Sequence, residues 1–206
     1  MNQLPPIVLE CPECGEKYLI SRESYTPSEN ATVYSDGYFM DSVNWRTPLI
    51  IGCVTCELGF FPENGKIIAE PQSWEEFNEN WAHIKKAEPP TAGSLALELR
   101  ARNNMKPEAE LALRKEFWYS GNHSETGRML MTKNPKFKKF WTESLMKLES
   151  MLSLNDEKEL ILKAEINRQL GNFDQTQQLL SGLKHPLAKA ISQKATEKDT
   201  ALFSVN

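Results

Sequence analysis

Apolar residues fall into two regimes along the chain. In the first seventy residues they come in short runs broken by turn-forming residues: Tyr18-Leu19-Ile20-Ser21, Pro48-Leu49-Ile50-Ile51, Gly59-Phe60-Phe61 and Lys66-Ile67-Ile68-Ala69. Runs this short, punctuated by glycine, proline and asparagine, predict strands. Asn64-Gly65 lies between two of them and predicts a tight hairpin, since both turn residues tolerate positive φ. Asp36-Gly37 predicts a second hairpin, joining Thr32-Val33-Tyr34-Ser35 to Tyr38-Phe39-Met40.

From Ser73 onward the period changes. Trp74, Phe77, Trp81 and Ile84 recur at helical spacing behind a serine N-cap, Glu76 reaches back to the cap, and Lys85-Lys86 suit a helix C-terminus. Glu88-Pro89-Pro90-Thr91-Ala92-Gly93 then breaks the pattern and marks a boundary. Further helices are predicted over Pro107–Tyr119, from Pro135 with Phe137, Trp141, Leu145, Leu148 and Leu152 on one face, and over Glu157–Leu170. Periodicity fades from Gln193, which predicts a loose tail. The expected architecture is α+β: a β-rich module at 1–72, a connecting amphipathic helix at 73–88, an all-α bundle at 89–192 and a tail at 193–206.

Composition changes this picture only at its edges. With 40% hydrophobic and 25% charged residues in 206, the chain suits a folded protein of one large or two small domains. No apolar stretch is long enough to cross a bilayer, and Met1–Glu10 lacks the basic-then-apolar order of a secretory signal, so the expected setting is cytoplasmic, without a membrane. Residues 1–90 carry 6 Lys and Arg against 14 Asp and Glu, while 91–206 carry 18 against 14. An acidic front half is a poor match for a phosphate backbone. Lys133, Lys136, Lys138 and Lys139 form one denser basic patch, which reads as a solvated helix end or as a contact for nucleic acid.

The chemistry on offer is in the cysteines. All four stand as two pairs, Cys11-Pro12-Glu13-Cys14 and Cys53-Val54-Thr55-Cys56. A two-residue spacer lets one tight turn aim two sulfurs at a point, and a second such turn completes a tetrahedral thiolate shell. No ligand position is left for water and no thiol for catalysis, so the expectation is a closed structural Zn²⁺ site. Two disulfides are the alternative, suited to an oxidising compartment.

The run Cys11-Pro12-Glu13-Cys14-Gly15-Glu16-Lys17-Tyr18 resembles the first knuckle of a zinc ribbon. In that family a glycine after the second cysteine permits a turn that directs N–H groups towards the sulfurs. The second knuckle departs from it: Glu57 stands where the glycine is expected, and Gly59 follows two residues later. The insert at 15–52 is longer than usual and carries Tyr25, Tyr34, Tyr38, Phe39 and Trp45. These aromatics would either cover a module too small for a proper core or form a contact surface.

The second half contains a repeat. Gly121-Asn122-His123-Ser124-Glu125-Thr126-Gly127-Arg128-Met129-Leu130 aligns with Gly171-Asn172-Phe173-Asp174-Gln175-Thr176-Gln177-Gln178-Leu179-Leu180, each after a helical run. Glycine ends helices in the left-handed conformation, so both copies read as helix, tight turn, helix. The second copy, with Ala164 inside its first helix and Phe173 opening its second, is similar to a tetratricopeptide hairpin. Thr176 and Lys163 depart from that family, as does the 50-residue separation of the copies. The resemblance implies a helical-repeat bundle with a partner-binding groove.

His83, His123 and His185 share no ligand or catalytic spacing, and no phosphate loop or nucleophile motif occurs. The expectation is therefore not an enzyme but a zinc-binding interaction or adaptor protein that engages another protein or peptide. The alternative is a nucleic-acid-associated zinc-ribbon protein using the lysine patch.

Overall fold

The computed structural model describes residues 4–22, 28–41, 47–101 and 105–205. The fold is mixed α+β, with small antiparallel sheets towards the N-terminus and eight helices among the described residues. Two compact units divide the chain out of sequence order: Met1–Ser28 with Ser42–Phe117, and Glu29–Asp41 with Trp118–Asn206.

The first unit is built on a three-stranded antiparallel sheet of order β2-β1-β7, with β1 Ile7–Glu10 in the centre, β2 Lys17–Ile20 and β7 Lys66–Ala69. Strand alternation sends β1 into two cores. Val8 pairs with Leu19, and both pack with Phe77, Ile68 and Ala69. Leu9 pairs with Tyr18, and both join Ile51 and Phe60 around the cysteines. A short hairpin, β5 Ile51–Gly52 with β6 Gly59–Phe60, closes that second face.

The hairpin expected at Asn64-Gly65 does not form. β6 pairs with β5 and β7 with β1, while Pro62–Asn64 make a 3-10 turn. Gly65 is extended, at φ −76°, and its use is steric: a Cβ there would come within 2.6 Å of the Leu9 side chain. Tertiary pairing to the central strand overrides the local turn preference.

The helix at Ser73 starts as expected and ends early. α1 is Trp74–Asn80; the Ser73 hydroxyl accepts from the Glu76 N–H at 3.2 Å, and the Glu76 carboxylate reaches one residue further back, to the Gln72 N–H. Phe77 is buried, but Trp74 is half exposed. The expected continuation through Lys86 is lost because the chain turns at Trp81 and lays Lys85–Ala87 beside β2: Leu19 donates to the Lys85 carbonyl and Ala87 donates to that of Leu19, both at 2.9 Å. This covers a strand edge. His83 is therefore on a turn, not a helix. The Pro89-Pro90 stretch packs on β5: the Gly52 N–H donates to the Glu88 carbonyl, and a Cβ at Gly52 would lie 2.7 Å from Pro90 Cα. α2, Ala92–Ala101, follows, and its Glu98 carboxylate accepts from the Gly59 N–H at 2.8 Å.

The second unit takes residues 29–41 out of the insert. β3 Thr32–Val33 pairs with β4 Phe39–Met40, and Gly37 turns the chain at φ +79°, as Asp36-Gly37 predicts. Around it stand the end of α3 (Pro107–His123), α4 Glu125–Lys133, α5 Pro135–Met151, α6 Glu157–Gln169, α7 Phe173–Leu180 and α8 Pro186–Thr196. Phe137, Trp141, Leu145, Leu148 and Leu152 are buried along α5, as their spacing requires. The insert aromatics Tyr34 and Tyr38 pack here, on His123 and Tyr119; Tyr25 and Trp45 lie outside the described residues.

The two repeat copies turn differently. Gly171 ends α6 at φ +82°, with Asn172 donating to the Asn167 carbonyl, a left-handed C-cap. Gly121 instead lies inside α3, which runs on to His123, and Ser124 makes the break by capping Gly127 at 2.9 Å. Gly121 is small because the Trp141 indole lies against it, and Gly127 because the Ser120 carbonyl does. The alignment thus reflects two helix pairs with unlike joints.

The C-terminus is not loose. α8 runs to Thr196, and beyond it Ser35 donates to the Phe203 carbonyl at 2.9 Å and Val205 to that of Val33 at 2.8 Å, adding the last residues to the edge of β3. Among the described residues no helix is long and apolar enough to cross a membrane.

The two kinds of glycine should separate in a thermal melt. Gly171→Ala meets nothing within 4 Å and should cost about 1 kcal/mol through its backbone alone, whereas Gly127→Ala should cost about 1–3 kcal/mol by forcing helices apart. Equal small losses would contradict the close approach at Gly127.

Candidate metal centre

Each cysteine pair sits at the bend of a hairpin, the first between β1 and β2 and the second between β5 and β6. The two bends repeat one hydrogen-bond scheme: Cys11 donates to the Glu16 carbonyl at 2.8 Å, and Cys53 donates to the Leu58 carbonyl at 2.9 Å. The residue after each second cysteine is left-handed, Gly15 at φ +77° and Glu57 at φ +60°. The second knuckle therefore keeps the turn of the first, although a side chain occupies the glycine position. A left-handed residue with a Cβ costs about 1–2 kcal/mol, so something must hold Glu57 there. Convergence of the sulfurs is the constraint available.

All four Sγ atoms lie within 4.8 Å of one another, with Cys14 and Cys53 at 3.4 Å and Cys11 and Cys56 at 3.8 Å. Four thiolates at about 2.3 Å from a tetrahedral ion would stand about 3.8 Å apart. The donor set and its spacing fit a metal ion such as zinc. The structure brings together all four predicted ligands. Cys11 and Cys53 are buried, Cys56 partly so, and Cys14 is exposed.

The surroundings hold the sulfurs in place. The Tyr18 hydroxyl donates to Cys53 Sγ at 3.3 Å and accepts from the Val54 N–H at 3.0 Å, tying β2 to the opposite knuckle. The Thr55 hydroxyl donates to the Glu16 carboxylate at 2.8 Å, a second tie between knuckles. Burial pushes the Cys53 thiol up, but N–H groups of Cys56 and Thr55 and the Tyr18 hydroxyl outweigh it and bring it down to about 6. Around Cys14 the Glu16 N–H pulls the thiol down, yet partial desolvation within the cluster and hydrogen bonds to the other three sulfurs push it up to about 12. Burial, and then the hydrogen bond to Cys53, raise Tyr18. Without a cation the negative charge thus falls on Cys53 before Cys14. Four thiolates this close call for a compensating positive ion.

Sequence reading missed the role of Tyr18, which it took only as the start of a strand. That role depends on Tyr18 pairing with Leu9 on the cysteine side of the sheet, where its hydroxyl meets the opposite knuckle.

The predicted lysines belong to the second unit. Lys133 ends α4 and Lys136, Lys138 and Lys139 start α5; all four are exposed, with Lys139 3.9 Å from Glu143. His185 caps α8 through Nδ1, which accepts from the Leu187 N–H.

His123, which shares no catalytic spacing in the sequence, belongs to a buried polar cluster in the second unit. Asp36 is fully buried and accepts from the Tyr38 N–H (3.0 Å), from Asn122 Nδ2 (2.7 Å) and, at 2.8 Å, from His123 Nε2 in its donor form. Tyr38 stacks on the imidazole, centroids 4.1 Å apart. Beside it Ser35 donates to Glu165 at 2.7 Å, Glu165 pairs with the fully buried Arg168, and Arg168 donates to the carbonyls of Asp199 and Ala201. Such a network fastens the hairpin and the C-terminal segment to α3 and α6.

Comparison with protein-family models, with curated proteins and with solved structures finds no match to this chain.

Two substitutions test the centre. Tyr18→Phe keeps the packing but removes both hydrogen bonds, and should weaken metal affinity by about 10–100-fold in a chelator competition; unchanged affinity would remove Tyr18 from the site. Glu57→Gly relieves the left-handed side chain and should raise stability by about 1 kcal/mol in denaturant titration, whereas destabilisation would show that the Glu57 side chain is needed where it is.

Proposed function

We propose that this protein is a zinc-binding interaction protein, in which one structural Zn²⁺ held by Cys11, Cys14, Cys53 and Cys56 secures a zinc-ribbon-like unit and the helical unit carries a surface for another protein or peptide. The observation that carries the metal role is the convergence of four sulfurs from two matching turns at the spacing a tetrahedral ion requires. When bound, the ion supplies positive charge and fixed geometry. Cys11 and Cys53 hold it from within the core, Cys14 and Cys56 from nearer the surface, and Tyr18 orients Cys53. All four positions are sulfur, which leaves none for a reacting water and favours a structural over a catalytic role.

The interaction role is supported by the packing of α6, α7 and α8. Ala164 and Thr176 are fully buried where the first two cross, with the Thr176 hydroxyl 3.2 Å from the Ala164 carbonyl. A small residue such as Ala164 at the crossing is what a tetratricopeptide-like hairpin needs, Thr176 standing in for a second, and stacked helix pairs of this kind present side chains to partners. Association with nucleic acid through Lys133, Lys136, Lys138 and Lys139 is a second reading, favoured by the exposure of all four at one helix junction.

Metal removal tests the first role. Stripping the ion with a strong chelator should unfold the cysteine-bearing hairpins, at a loss on the order of 10 kcal/mol for an isolated module, and leave the helical circular dichroism of α4–α8 in place. Cys56→Ser should behave like the stripped protein. A chain whose melting is indifferent to chelator and to Cys56→Ser would refute the structural role. Analytical size-exclusion of the native assembly separates the two binding readings: a stoichiometric protein partner stable to salt supports the first, and a nucleic acid lost steeply with salt supports the second.

A further inference from the structure

The four cysteines are not equally placed. Cys11 and Cys53 are buried among Leu9, Tyr18, Ile51 and Phe60, whereas Cys14 is exposed. Cys14 also lines an open cleft of about 360 Å³ with Gly15, Glu16, Lys17, His83, Ile84 and Lys85. A site of four thiolates holding a divalent cation has an excess of negative charge, and the cleft wall, with Lys17 and Lys85 against Glu16, offsets part of it. Gly15 contributes no side chain to block the approach. One sulfur of the cluster can thus be reached by a small solute while Cys53, 3.4 Å from it, stays inside the core.

We propose that Cys14 is the site at which the metal centre is opened by oxidation, with a soluble hydroperoxide entering the cleft and the oxidised Cys14 closing onto Cys53 as a disulfide between the two knuckles. The inference rests on the metal reading above. The steps balance. The Cys14 sulfur attacks the outer peroxide oxygen, the O–O bond breaks, and the other oxygen leaves as alcohol or water after taking a proton. The Cys53 sulfur then attacks Cys14, the S–O bond breaks, and the departing hydroxide takes a second proton to become water. Two sulfurs together give up two electrons and the peroxide accepts them. The cluster then retains Cys11 and Cys56, half of its ligands. Because the new bond crosses the same gap that the ion spanned, the knuckles stay joined after metal is lost.

The test uses the full chain after its zinc content has been measured. Limiting N-ethylmaleimide should place the first adduct on Cys14. Titration with hydrogen peroxide should release the metal to a chromogenic chelator in step with a disulfide that links the tryptic peptides 1–17 and 47–66 and that fragmentation in the mass spectrometer assigns to Cys14 and Cys53. The oxidised, metal-free protein should melt higher than the reduced, chelator-stripped one, and dithiothreitol with added zinc should reverse the change. A first adduct on Cys11, Cys53 or Cys56, or a disulfide within a knuckle (Cys11 with Cys14, or Cys53 with Cys56), would overturn the proposal. A chain isolated without zinc would sink the metal reading and this proposal with it, whereas a zinc-loaded chain whose first adduct or disulfide lies elsewhere would sink this proposal alone.

Discussion

The meeting of four sulfurs is the constraint from which the first unit follows. Its hairpin strands are two to four residues long, too short to be stable as isolated pairs in water. What joins them is a shared point beyond their turns. That point explains why two sequences as different as Cys14-Gly15-Glu16 and Cys56-Glu57-Leu58 adopt the same bend, and why Glu57 accepts a backbone conformation that glycine takes freely. The hydrophobic residues follow from it as well. Leu9, Tyr18, Ile51 and Phe60 do not form a core of their own with the cysteines outside; they pack around Cys11 and Cys53, so ligand placement and burial reinforce each other.

A different rule organises the second unit. Two fully buried carboxylates there, Asp36 and Glu165, would each be costly in isolation. Asp36 meets three donors, and Glu165 meets Arg168, Ser35 and Gln169. These contacts select one docking position for the 29–41 hairpin, because an apolar pairing could slide by a residue where a buried carboxylate with three directed donors cannot. The C-terminal residues are captured by the same device, through Arg168 and the edge of β3. A segment that begins between the two cysteine pairs and a segment at the chain end are thus held by one polar cluster.

The ligands, the Asp36-Gly37 turn and the helix starts at Ser73, Pro135 and Glu157 were legible because each is specified by residues within a few positions. Spacing, caps and positive φ are local matters. Where sequence reading failed, a distant partner competed with the local preference. Asn64-Gly65 has strong turn chemistry, but β1 claims β7. Trp81 and Ile84 continue a helical stripe, but the edge of β2 claims Lys85–Ala87. β1 itself went unread because Ile7-Val8-Leu9 is buried on both faces and shows no alternation. Gly121 looks like a helix stop and is in fact a seat for Trp141. Nothing near Asp36 in sequence announces Asn122 and His123, which lie more than eighty residues away. At the metal centre the four ligands could be read and the Tyr18 bridge could not, since it depends on which knuckle faces which strand.

The account stands on the coordination of one ion by sulfur alone. X-ray absorption at the zinc edge of the purified protein measures this directly. Four sulfur scatterers at about 2.3 Å, with no nitrogen or oxygen in the shell, is the predicted result. A shell containing nitrogen or oxygen ligands, or protein that folds with no zinc signal, would contradict it.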